Sequence, residues 1–120
     1  MNIGILIFSS PSMATHTGVD RLEEEATKLG HQVTRLYEPQ LSFVDNKIFH
    51  QGELLPNVDV ILSRPNFIEE PSLRTYAIQQ LLNAGHRVVN SSPGYTWAKN
   101  KLTQHVLFDQ HNLPCPKWGI

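Results

Sequence analysis

Three features of the 120-residue sequence predict an α/β domain built on an open, mostly parallel sheet of about four strands, with helices on both faces. Short apolar, β-branched runs alternate with segments of helical periodicity. The first, Ile3 to Phe8, is almost wholly apolar, as in strands covered on both sides, while His31 to Tyr37 alternates Val33 with polar neighbours. Small and hydroxyl-bearing loops follow the strands, where such sheets place ligands. Hydrophobic content of 40% fits a globular chain of one domain.

The elements follow in order. Ile3 to Phe8 is the first buried strand, and the loop SSPSMATHTG follows it. Val19 to Leu29 predicts a helix, with Val19, Leu22, Ala26 and Leu29 on one face and Glu23, Glu24 and Glu25 toward water. Gly30 suits the left-handed residue after it. His31 to Tyr37 is the second strand. Asp45-Asn46 then lies between two short β-type runs and predicts a hairpin inserted into the βαβ rhythm. Val58 to Ser63 is the third strand. Pro71 opens a helix whose face is expected to carry Leu73, Tyr76, Ala77, Leu81 and Leu82, with Gly85 as its stop. RVVNSS is the fourth strand, and the final helix is expected to carry Tyr95, Ala98, Leu102 and Val106.

Composition excludes several function classes. The net charge of −1 provides no basic field for nucleic acid. No apolar run reaches the length of a membrane span, and the apolar start has no basic region before it, so it reads as a strand rather than a signal. The single cysteine, Cys115, cannot form an internal disulfide and fits a reducing compartment. A cytoplasmic protein is the expectation. The histidines at 16, 31, 50, 86, 105 and 111 show no metal-ligand spacing. His105 and Asp109, one turn apart, are placed to pair on a surface. Cys115, between two prolines, is a poor candidate for a thiolate nucleophile.

The residues with chemistry to offer cluster at the carboxyl ends of the strands. Asn90, Ser91 and Ser92 end the fourth. Asn100 is a good N-cap for a helix from Lys101 to about Asn112. Lys101 then sits at the positive end of the helix dipole, an unfavourable place unless an anion binds there. A solvated surface lysine is the plain alternative. Arg64 follows the third strand and is able to clamp a carboxylate or phosphate, or else to pair with Glu69 or Glu70. Ser9, Ser10 and Thr17 are weak candidates for polar contacts. The loop that holds them is neither a P-loop nor a GxGxxG turn. No complete catalytic constellation is present in these residues.

From ILSRPNF through NAGHRVVNSSPGYTWAKNKLTQHVLFDQHNLPCPKWGI, the sequence resembles the N-terminal, pre-ATP-grasp domain of RimK-type ATP-grasp ligases. The markers are Arg64, Asn90 and the pair Asn100-Lys101, in that order. The resemblance implies a pre-ATP-grasp domain over residues 1–113 and the start of a linker over 114–120, leading to an ATP-grasp core. It implies an ATP-dependent carboxylate–amine ligase in which a carboxylate is activated as an acyl phosphate and attacked by an amine. Glutamate transfer to a ribosomal protein is the prototype. Lys101 would then contact the ATP phosphates, with Asn100 capping its helix. Arg64 and Asn90 would lie on the substrate side. ATP and Mg2+ would belong to the full-length enzyme, with none expected on this fragment. The partners implied are the core, a carboxylate substrate and an amino acid, with a homo-oligomer kept as a further expectation. The chain departs from the pattern in two places. Asn100 stands where the family usually has aspartate, and the arginine-serine-arginine run before it is missing, which leaves the substrate open. The other reading is a free-standing binding module of flavodoxin-like or receiver-like fold. A receiver, however, needs an acidic cluster that the strand ends lack.

Overall fold

The computed structural model describes residues 1–13, 17–64, 73–91, 94, 98 and 100–117. Strands β1 (Asn2–Ile7), β2 (Gln32–Tyr37), β6 (Val60–Arg64) and β7 (Val88–Val89) form one parallel sheet, in the order β2-β1-β6-β7. Three short strands, β3 (Leu41–Val44), β4 (Lys47–His50) and β5 (Glu53–Leu54), form a separate antiparallel sheet. The helices are α1 (Thr17–Lys28), α2 (Leu73–Asn83) and α3 (Lys101–Gln110).

Side-chain alternation along β1 explains why helices cover both faces. Leu6 and Phe8 point into a cluster with Leu36, Ile61, Ile78 and Leu81, on the α2 side. Ile5 and Ile7 point the other way, against Val19 of α1, with Leu22, Val33 and Tyr37 at the margin. The larger core also takes in Ile48, Leu55 and Val58, so the small sheet is held to the domain by its apolar face.

The small sheet is a product of its turns. Asp45 and Asn46 have φ of 48° and 60°, the left-handed pair that joins β3 to β4 as a tight hairpin. Gln51 and Gly52 repeat the device, with φ of 56° and 83°, between β4 and β5. The sequence predicts the first turn but not the third strand. Gly30, at φ 80°, ends α1 as expected.

Several expectations need correction. Leu29 lies past the end of α1 and is 74% exposed, whereas Glu23 is half-buried because it pairs with Arg35 of β2. Tyr76 is 63% exposed, and the face that α2 buries is Ala77, Ile78 and Leu81. Tyr76 has the spacing of that face but stands at its edge, where the helix meets solvent. The fourth strand pairs only through Val88 and Val89, opposite Ile61 and Leu62. Helix α3 ends at Gln110, and Asn112 is left-handed at φ 53°. Leu102 and Val106 are both exposed, and α3 buries no residue. Pro71, Tyr95, Glu69, Glu70 and the Leu73 side chain lie outside the described residues.

Candidate functional site

The chain runs from β1 to β2 on one side and later adds β6 on the other side of β1. The order therefore reverses between β1 and β6, and a crevice opens at their carboxyl ends. Ile7 and Arg64 are paired in register as the last residues of these two strands. The first turn of α1 packs beside them.

Arg64 alternates onto the α1 face. Its guanidinium lies over Gly18, so closely that a Cβ at Gly18 would stand 2.5 Å from Nη2. A side chain at Gly18 would push the guanidinium aside. An open hollow of about 280 Å³ is lined there by Gly18, Arg21, Leu22, Glu25 and Arg64. Among the described residues, Arg64 makes no ion pair. The suggested partners Glu69 and Glu70 are outside those residues.

Ser63, the residue before Arg64, points to the opposite face. It is buried, and its Oγ has no hydrogen-bond partner among the described residues. Ser9, just past β1, is also buried. In the loop after it, the hydroxyls of Ser10 and Ser12 bond each other at 2.8 Å, and the Met13 N–H donates to the Ser10 carbonyl at 3.1 Å. Thr17 is the first residue of α1.

The second group of predicted residues sits at the start of α3. Asn100 is its N-cap, in extended backbone, and Oδ1 accepts the Thr103 N–H at 3.1 Å. The next residue, Lys101, is exposed and donates from Nζ to the neutral Gln104 Oε1 at 3.1 Å. Gln104 in turn donates its side-chain amide to the Ala98 carbonyl. No acidic residue stands in the first turn of α3. The helix start thus combines an ammonium that meets no carboxylate among the described residues with backbone donors, a set that fits a phosphate oxyanion. Asn90 is exposed just beyond β7. No hydrogen bond or ion pair among the described residues joins Lys101, Arg64 and Asn90.

Cys115 is half-buried, and its thiol lies 3.7 Å from Asp109 Oδ1. Desolvation first, and the Asp109 carboxylate second, push the thiol above its ordinary range. Both act against thiolate chemistry. Among the described residues, no group of three metal-ligating side chains is assembled, and no helix is long and apolar enough to cross a membrane.

Sequence reasoning placed Arg64 and Asn100 correctly in the fold, as a strand end and a helix cap. It passed over Gly18 and Arg21. Gly18 carried a signal, being the only glycine between the end of β1 and Gly30. Arg21 carried none that distinguished it from a solvated helix residue.

No family model matches the chain, and no curated protein matches it. Among solved structures, a RimK domain ATP-grasp protein from Sphaerobacter thermophilus superimposes with a TM-score of 0.69 at 14% identity. The match covers 98% of this chain and 39% of that one, so the chain spans about two fifths of the length of this neighbour. The fold of this chain is that of a segment of a RimK domain ATP-grasp protein.

Proposed function

We propose that the chain is the N-terminal α/β domain of an ATP-dependent carboxylate–amine ligase of RimK type. The observation that carries this reading is the fold match along nearly the whole chain to a protein more than twice as long. The chain's own markers agree with it: Arg64 at the switch between β1 and β6, and Lys101 at a capped helix start.

In this role the domain is inert alone and forms one wall of a substrate cleft against an ATP-grasp core. The reaction transfers the γ-phosphoryl group of ATP to a carboxylate oxygen, giving an acyl phosphate and ADP. The amine then attacks the acyl carbon and phosphate leaves. Lys101 holds a nucleotide phosphate, its ammonium and the α3 amides pointing at the same oxygens. Asn100 fixes where that helix begins. Arg64 and Asn90 face the substrate. Mg2+ would be held by carboxylates of the core, because the described residues offer no cluster for it.

The sheet order β2-β1-β6-β7 is also the flavodoxin-like order, which keeps a free-standing binding module as the second reading. ADP release separates the two. The assay uses the protein that carries this chain together with its core, ATP, and glutamate with a panel of carboxylate acceptors. ADP should form only when both co-substrates are present. Lys101→Ala should lower kcat/KM for ATP by about 100-fold, a loss of about 2.7 kcal/mol of transition-state stabilisation. Its melting temperature should stay unchanged, because the side chain is exposed. ADP release that ignores the co-substrates, or that survives Lys101→Ala unchanged, would sink the reading.

A further inference from the structure

A second feature of the α1 face emerges once its charges are assigned to partners. Helix α1 carries four carboxylates, Asp20, Glu23, Glu24 and Glu25. Arg35, on the neighbouring strand, takes two of them. Its Nη2 lies 2.7 Å from Asp20 Oδ1, and its Nε donates to Glu23 Oε2 at 2.6 Å. Lys28 takes the other two, with Nζ 2.8 Å from Glu24 Oε1 and 2.9 Å from Glu25 Oε1. Every acid on the helix is thereby committed.

Two cations are left over, and both line the same hollow. Arg21 and Arg64 make no ion pair among the described residues, and they share the 280 Å³ space with Gly18, Leu22 and Glu25. Gly18, Arg21, Leu22 and Glu25 are spaced three, four and seven residues apart, so they form one stripe of α1. Of these, Glu25 is already turned to Lys28. Leu22 supplies the apolar part of the floor. Two guanidiniums beside one apolar side chain recognise planar oxyanions by paired N–H donors.

We propose that this hollow is a carboxylate-binding subsite, in which Arg21 and Arg64 together hold an acidic ligand and Gly18 positions Arg64 by leaving its guanidinium room. The proposal rests on the ligase reading only for what the ligand is for: the carboxylate-bearing acceptor is the natural occupant. The binding itself follows from the charge distribution. Because the chain as a whole carries −1, general attraction of an anion is not expected.

The test is calorimetric titration of the full chain with hexaglutamate, with free glutamate as a competitor. Arg21→Gln and Arg64→Gln should each weaken hexaglutamate binding at least 5-fold. Lys117→Gln, which removes an exposed charge near the other end of the chain, should leave it unchanged. Arg64→Lys keeps the charge but loses the fork, and should still weaken binding. Gly18→Ala should weaken binding in the wild type but have no further effect in Arg64→Gln, since its only route is through that guanidinium. Binding of hexaglutamate without competition by free glutamate supports a peptide-borne carboxylate. Competition at matched carboxylate concentration supports a small free acid. The proposal is overturned if hexaglutamate does not bind, if neither arginine variant weakens it, or if Lys117→Gln weakens it equally. The ligase reading fails separately: ADP release would then be independent of Lys101 even though the titration held. Conversely, unaltered hexaglutamate binding in both arginine variants, with ADP release still dependent on Lys101, would remove the subsite alone.

Discussion

His50 is where a single residue couples protonation to the fold. At the end of β4, its Nε2 accepts the backbone N–H of Tyr37 at 3.4 Å, where β2 ends. Only a neutral imidazole nitrogen accepts in this way. Burial lowers the His50 pKa below the ordinary 6.5. Its cross-strand neighbours are Glu53 on β5 and Leu41 on β3. Between the depressed folded pKa and 6.5, the unfolded chain binds more protons than the folded one. Stability therefore rises with pH across that window and falls as pH drops through it. Urea midpoints should be lower at pH 5.5 than at pH 7.5, and His50→Gln should flatten the difference. An undiminished pH dependence in that variant would assign the effect to other groups.

Legibility at this scale divides by how local the cause is. The Asn100 cap could be read because capping needs only the residue and the amide three positions on. The availability of Arg21 and Arg64 could not. It depends on Arg35 reaching across from β2 to Asp20 and Glu23, a contact between residues 12 and 15 apart.

Among the elements, the helices differ in how much they bury. Leu81 of α2 is fully buried in the larger core, while Leu102 of α3 is 43% exposed. Leu81→Ala should cost about 2–5 kcal/mol of stability through lost burial and the cavity left behind. Leu102→Ala should change it by no more than about 0.5 kcal/mol in this chain. Chemical denaturation of both variants gives the comparison, and equal costs would mean that α3 is docked in solution. The periodicity in the sequence located both helices, since spacing shows that a face is apolar. It does not show whether that face has a partner within the chain. The error over α3 has this cause, whereas Tyr76 stands at the edge of a face that does have its partner. The small antiparallel sheet was half legible. Asp45-Asn46 announces its turn, whereas β5 is two residues long and has no periodicity to read.

At the scale of the whole molecule, the sheet and its two covering helices were the most legible part, because the central strand β1 is almost wholly apolar and the helices beside it show a 3.6-residue period. The Cα radius of gyration is 16.3 Å, against about 13–14 Å for a compact domain of this length. The excess, together with the exposed Leu102, Val106, Phe108 and Leu113, fits a unit that rests on a further body of protein, as the ligase reading requires. The proposed function is chemical: the protein that carries this chain would activate a carboxylate at the expense of ATP. The most direct measurement follows oxygen. A carboxylate acceptor labelled with 18O in its carboxyl group is turned over with ATP and an amine by the protein carrying this chain and its core, and the released phosphate is analysed by mass. Activation as an acyl phosphate predicts one 18O atom in phosphate for each amide bond formed, together with ADP. Amide formation with unlabelled phosphate, or with AMP and pyrophosphate as products, would contradict the account.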